Sequence, residues 1–270
     1  MFDSHVHSHH SHDAVSSIED ICRTSVEKGI AGVAVCDHAD MWFYERQNTY
    51  EGFSACIREI LNIRDKYEGT LKIMQGIELA EDRDEPEKAA KLLALCQWDV
   101  ILGSVHSVAY KDINDAYSRV DFGAMAEEKI EGFLHEYFRK MTDMARNTDF
   151  DVLTHLTCPL RYITGKYGRN IDIFRFEEEI REIFRLIRER GIALEVNTSG
   201  IGTAFGAYMP TIPLLTLYRE MGGELLTIGS DAHTPERLGF AFAETKKMLR
   251  DLGFSTYCYH ENRKAQFVVL

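Results

Sequence analysis

The sequence contains no apolar run approaching the roughly 18 residues that a bilayer-spanning helix requires, which excludes a helical membrane protein. Nor does a charged-then-apolar leader open it, so a soluble, cytoplasmic protein is expected. Six cysteines (Cys22, Cys36, Cys56, Cys96, Cys158 and Cys258) are widely spaced with no Cys-x-x-Cys pair, a pattern of reduced thiols rather than of a disulfide framework. Basic residues are in deficit: 31 Lys and Arg face 43 Asp and Glu, a formal charge of −12. Such a surface repels nucleic acid and anionic membrane, and the chain also lacks a basic, aromatic groove for a single strand. A phosphorylated small molecule is not excluded, because bound divalent cations would offset part of the negative excess. No His-Glu-x-x-His motif occurs, so the helical metal pair of a zincin is absent. Low-complexity linkers and internal repeats are missing too, which leaves residues 1–270, 45% hydrophobic, as one expected domain.

What the chain has in abundance is histidine near its start. Asp3-Ser-His5-Val-His7-Ser-His9-His10-Ser-His12-Asp13 places five histidines within eight residues. On a β-strand, side chains at i and i+2 share a face, so His5 and His7 would aim two imidazoles at one point.

Downstream, short apolar runs alternate with segments of helical period. Strands are expected at Phe2–His7, Gly32–His38, Leu71–Leu79, Asp99–His106, Asp151–Leu156, Ile192–Thr198 and Leu225–His233, each followed by a helix, at about Ser17–Lys28, Tyr50–Tyr67, Pro86–Cys96, Gly123–Asn147, Ile173–Arg190, Thr211–Met221 and Pro235–Leu252. This β-then-α alternation predicts parallel strands joined by right-handed crossovers, closing into a barrel. The tail, residues 257–270, reads as a strand, a turn and a second strand capping the barrel. Metal-competent residues recur at the ends of the strands: His5 and His7, Asp37-His38, Glu78, His106, His155, and Asp231-x-His233. Barrel enzymes build their sites at this rim. A lone histidine on a strand is usually an ordinary core or surface residue, but the joint placement reverses that expectation. With His12 just beyond the first strand, seven imidazoles and two or three carboxylates exceed the needs of one tetrahedral ion. The supply fits two or three divalent transition metals, Zn, Fe or Mn, since Mg and Ca favour oxygen-only shells. Glu78 is the candidate bridging carboxylate.

Together, Asp3-x-His5-x-His7, His12, Asp37-His38, Gly76-Ile-Glu78, Gly103-Ser-Val-His106, Thr154-His155 and Ser230-Asp231-Ala-His233 resemble the polymerase-and-histidinol-phosphatase (PHP) superfamily. The resemblance implies a distorted seven-stranded (β/α)7 TIM-like barrel with a trinuclear metal centre. It implies one metal held by His5, His7, Glu78 and Asp231, a second by Glu78, His106 and His155, and a third by His12, His38 and His233. Length and the lack of a fused polymerase module resemble the stand-alone histidinol-phosphate phosphatases, implying L-histidinol phosphate as substrate, with Arg161 gripping its phosphate. Past Gly200, however, the segment Ile201-Gly-Thr-Ala-Phe205 offers no basic residue to share that phosphate.

The expected chemistry is in-line attack by a metal-activated water. Asp13 or His233 is a candidate proton donor to the leaving group, and Asp3 and Asp37 are expected to orient ligand imidazoles. Tyr and Asp residues of the loop 107–122, with the aromatic stretch at 40–45, are candidates for shaping the pocket. Two other readings remain open: a PHP phosphoesterase for a different small phosphorylated metabolite or nucleotide, and a non-catalytic metal-binding protein. Oligomeric state is not legible.

Overall fold

The computed structural model describes residues 1–270. In chain order the strands are β1 (Phe2–Val6), β2 (Gly32–Val35), β3 (His38–Asp40), β4 (Lys72–Ala80), β5 (Val100–Ser104), β6 (Ser107–Tyr110), β7 (Ile113–Ala116), β8 (Val152–Leu153), β9 (Ala193–Asn197), β10 (Leu226–Gly229), β11 (Thr256–Glu261) and β12 (Lys264–Val269). The helices are α1 (Ile18–Glu27), α2 (Thr49–Arg64), α3 (Pro86–Leu93), α4 (Glu127–Asn147), α5 (Glu177–Arg190), α6 (Ile212–Glu220) and α7 (Phe242–Asp251).

Seven parallel strands run in the order β1-β2-β4-β5-β8-β9-β10, with β3 paired beside β4. They curl into a nearly closed α/β barrel of the TIM-like kind, as the alternation of elements predicts. Closure between β1 and the end of β10 rests on an isolated bridge, Val6 with Ala232. Two backbone hydrogen bonds hold this seam: His7 N–H donates to Ala232 O at 2.9 Å, and Asp231 N–H to His5 O at 2.8 Å.

The helices form because their apolar residues recur at helical spacing. Along α5, Ile180, Ile183, Phe184 and Ile187 are buried, and along α4 so are Ile130, Phe133, Leu134, Tyr137, Phe138 and Met141. These two faces pack into the main core, where each large apolar side chain contributes about 1.5–3 kcal/mol by leaving water. Ser17 caps α1, its side chain accepting from Asp20 N–H.

Three local details depart from the sequence-based expectation. The run Gly32–His38 is two strands, because the long strand β4 pairs with β2 along its first half and with β3 along its second. Between them Asp37 turns inward to accept hydrogen bonds from Ser8 and Ser11. The stretch after β5, read as a loop, contains the antiparallel hairpin β6–β7. Pro235 starts a short 3-10 turn rather than the last helix, since Gly239 at φ +63° and Ala241 at φ 59° break the path before α7. Only Gly adopts that region freely, and Gly239 N–H is tied to Asp3 Oδ2 at 2.9 Å.

The hairpin β11–β12 lies against the starts of the barrel strands. Phe2 stacks on Tyr259 with ring centroids 3.9 Å apart, and Arg263 pairs with Asp149 and Asp151 just before β8. It therefore floors the barrel at the end opposite the histidines. All six cysteines are free thiols, and no helix is long and apolar enough to cross a membrane.

Candidate metal centre

The strand-end positions singled out in the sequence converge on one point. His5 is carried within β1, with His7 one residue past it. His38 opens β3, and Glu78 lies inside β4. His106, His155, Asp231 and His233 follow β5, β8 and β10. Asp231 sits at φ 51°, a strained conformation for a non-glycine residue of the kind concentrated at functional sites.

Glu78, fully buried, is at the centre. Its Oε1 lies 2.8 Å from His155 Nε2 and 3.2 Å from His106 Nε2. Its Oε2 lies 2.7 Å from His38 Nδ1 and 3.7 Å from both His5 Nε2 and His7 Nε2. His7 Nε2 also faces Asp231 Oδ1 at 3.2 Å. Four groups have donor atoms mutually within 4.8 Å: His5, His7 and Asp231; His38, Glu78 and His106; and His7, His38 and His233 in this cluster, with His9, His10 and Glu59 apart from it.

Electrostatics follow from this crowding. Burial opposes ionisation of Glu78, but His106, His38 and His5 outweigh it and hold the carboxyl well below the usual range. Burial likewise opposes a charged His5, yet Glu195 and Glu78 hold its pKa well above the usual imidazole value. His7 is pushed well below, by burial and then by His233 and His38.

The supporting residues are partly those expected. Carboxylates reach two imidazoles: Glu195 Oε1 meets His5 Nδ1 at 2.7 Å, and Asp40 Oδ1 meets His106 Nδ1 at 2.8 Å. Neither role was visible in the sequence beyond the polar character of Glu195 at the end of β9. Asp3 and Asp37, expected in that role, touch no imidazole. Asp3 binds Ser230 and Gly239, which steadies the backbone beside Asp231. Asp37 acts one atom further out, through Ser11, whose Oγ lies 3.1 Å from His7 Nδ1. Glu81, unremarked in the sequence, accepts from the backbone N–H groups of His106 and Ser107; burial and the nearby Asp40 charge raise its pKa to about 7.

His12 and Asp13 exchange places relative to expectation. Asp13 Oδ1 lies 3.5 Å from His38 Nε2 and 3.4 Å from His233 Nε2. His12 also lines the cleft but makes no such approach: its Nε2 lies 4.0 Å from Asp13 Oδ2, and its ring centroid is 5.5 Å from that of His38. His9 and His10 turn away, towards Glu59 on α2.

A cleft of about 590 Å³, open to solvent, lies over the cluster and is lined by Asp13, Phe43, Tyr117, Arg119, Arg161 and Tyr162 among others. Arg161 stands on a π-helical turn, Arg161–Lys166, a rare geometry frequent at functional sites. Its Nη1 donates to Ser199 Oγ at 3.1 Å. Of the pocket loop, Tyr117 lines the cleft, whereas Tyr110, Asp112, Asp115 and Asp121 do not.

The donor set fits divalent metal ions. His5 and His7 each commit Nδ1 to a neighbour, which turns two Nε2 atoms towards each other at 3.0 Å. With both rings neutral, as metal ligands are, the two Nε2 lone pairs would converge on one point that a cation can occupy. Glu78 Oε2 and His38 Nδ1, 2.7 Å apart, are both buried without a properly directed hydrogen bond, as two donor atoms facing one cation would be. The Glu195 and Asp40 contacts fix the ring orientation that ligating histidines need.

Fold and site together define an α/β barrel protein with a buried, histidine-rich cluster around Glu78 suited to divalent metals. The chain belongs to the PHP family: the PHP domain model matches residues 3–199. It is 27% identical to the probable histidinol-phosphatase of Deinococcus radiodurans, over 98% of both chains. It is 24% identical to the histidinol-phosphatase of Lactococcus lactis, over 93% of this chain and 91% of that one. Among solved structures, histidinol phosphate phosphatase from Lactococcus lactis, complexed with zinc, L-histidinol and phosphate, superposes with a TM-score of 0.80 at 21% identity, over 98% of both chains.

Proposed function

We propose that this protein is a metal-dependent phosphomonoesterase that hydrolyses L-histidinol phosphate to L-histidinol and phosphate. The observation that carries the reading is the Glu78 cluster at the base of a cleft that also holds Arg161. The names of the full-length relatives, and the ligands in the Lactococcus lactis structure, support the choice of ester.

Three transition-metal ions, zinc, iron or manganese, are the proposed complement. His5, His7, Glu78 and Asp231 hold one, and Glu78, His106 and His155 a second. The third takes His38, His233 and Asp13, with Asp13 replacing His12 because its carboxylate stands between the two imidazoles. Bound ions of this kind supply a water of lowered pKa and neutralise phosphoryl charge. Arg161, held by Ser199 and Tyr162, orients the phosphate through its planar fork. Phe43, Tyr117 and Tyr162 wall the cleft beside it and exclude water around the alcohol half of the ester. With Asp13 and His233 both assigned as ligands, the leaving alkoxide would take its proton from a water rather than from either side chain.

The test is phosphate release from L-histidinol phosphate, compared with p-nitrophenyl phosphate and a mononucleotide, with metal content measured on the same preparation. Preferential turnover of L-histidinol phosphate, lost by at least a thousandfold in Glu78→Ala together with bound metal, is expected, since Glu78 is shared by two sites. Turnover of the other esters alone discards the substrate. No turnover with metals bound favours a non-catalytic metal protein.

A further inference from the structure

Of the two guanidiniums lining this cleft, Arg119 faces Asp115 and stacks on Phe43, which leaves Arg161 as the unpaired one for a dianionic phosphate; the segment past Gly200 supplies no other. A second one arrives from elsewhere. Arg237, in the 3-10 turn Pro235–Arg237 that follows β10, donates from Nη2 to Ser199 O at 3.2 Å. Arg161 donates to the hydroxyl of that same serine. Two guanidiniums from different elements, the π-helical turn and the 3-10 turn after β10, thus meet at one residue beside the cleft, whose Oγ lies 3.2 Å from Asp231 Oδ2.

Three features set Arg237 apart from a surface arginine. Most arginines elsewhere hold carboxylates, as Arg175, Arg185 and Arg263 do, or backbone carbonyls, as Arg169 and Arg190 do. Neither Arg237 nor Arg161 forms an ion pair, and the nearby Asp231 is already committed to His7 and Ser199. Next, the Arg237 guanidinium stacks on Phe240, 3.7 Å from the ring centroid, which fixes its plane while the Ser199 contact uses one of five N–H donors. Finally, it lies directly over Gly202: a Cβ added there would collide with Nη1. The guanidinium occupies the space that a side chain of the Ile201–Phe205 segment would otherwise fill. Burial, and then the charge of Arg161, hold its pKa below the usual arginine range, so the two cations feel one another. Paired cations without a counter-ion cost repulsion, and an arriving dianion relieves it.

We propose that Arg237 is a second phosphate-binding residue, which clamps the substrate phosphate together with Arg161. This assignment rests on the phosphatase reading above, but its test does not depend on which ester is cleaved.

The probe is inorganic phosphate, whose affinity for the metal-loaded protein is measured by calorimetry and as product inhibition, beside KM, kcat, metal content and Tm. In Arg237→Ala the phosphate Kd and the KM for the ester rise together by about tenfold to a hundredfold, the loss of one charge-assisted contact, with metal content unchanged. Arg237→Lys, a point charge without the fork, recovers part of this. Arg237→Gln, which keeps the stem and an N–H for Ser199, behaves like alanine and covers the case in which alanine fails to fold. In Arg237→Ala with Gly202→Arg, a guanidinium returned to the same space restores phosphate affinity. Unchanged phosphate affinity in Arg237→Gln overturns the assignment, as does a fall in Tm and kcat with KM untouched. If wild type leaves L-histidinol phosphate intact while phosphate still binds more weakly to the variants, the substrate falls and the arginine clamp stands.

Discussion

At the scale of single residues, the sequence showed which side chains meet but not how each is oriented. Alternation on β1 was enough to aim His5 and His7 together, and strand ends located Glu78, His106, His155 and Asp231. The partners of their second ring nitrogens were not legible, because Glu195 and Asp40 come from other strands and meet their histidines only after the barrel forms. The exchange between His12 and Asp13 has the same origin: adjacent residues in a turn point in different directions, and no periodicity says which faces inward. This yields a discriminating pair of variants. Asp13→Ala is expected to lose about one metal equivalent and to lower kcat by about tenfold or more, whereas His12→Ala retains full metal content. Elemental analysis of the two purified proteins separates them, and the reverse pattern restores His12 as the ligand.

Elements were more legible than residues. Seven β-then-α units could be counted from hydrophobic period alone, because a strand flanked on both sides by other elements reads as an apolar run and a covering helix reads as a stripe. What escaped were breaks imposed by distant contacts: Asp37 drawn towards Ser8 and Ser11, and Gly239 drawn towards Asp3. Close packing between elements adds a constraint that composition does not reveal. A Cβ on Gly103 in β5 would stand 2.8 Å from Cδ2 of Phe150, immediately before β8. Since β8 contributes only Val152 and Leu153 to the ladder, it has little tolerance for displacement. Gly103→Ala is therefore expected to destabilise by about 1–3 kcal/mol, lowering Tm by about 2–10 °C. Adding Phe150→Leu returns part of that loss. Thermal unfolding of the single and double variants measures it, and an unchanged Tm in Gly103→Ala would show that Phe150 moves freely.

For the whole molecule, the two ends of the barrel have separate tasks. The centre occupies the mouth, and the β11–β12 hairpin closes the floor, where His260 is buried with Nδ1 unpartnered. Burial lowers its pKa, with Asp151 opposing and Arg263 assisting. The folded state thus resists a proton that the unfolded chain accepts below about pH 6.5. The stability contribution of the neutral ring is fully present above that pH and is lost as pH falls below it, by at most about 1.4 kcal/mol per pH unit. His260→Phe is expected to flatten the decline in Tm between pH 7.5 and 5.5 relative to wild type, while leaving kcat at pH 7.5 unchanged. Parallel curves for the two proteins would remove His260 from the account. The seam of the barrel has a consequence of another kind. The bonds that close it, His7 N–H to Ala232 O and Asp231 N–H to His5 O, join residues near opposite ends of the chain, and those residues are the ones that face the metals. On the ribosome, the first strand emerges early and waits for the last before the seam can close. A chain halted before residue 231 therefore lacks Asp231 and His233, and the group that pairs His5 and His7 with Asp231 is completed only by the end of β10.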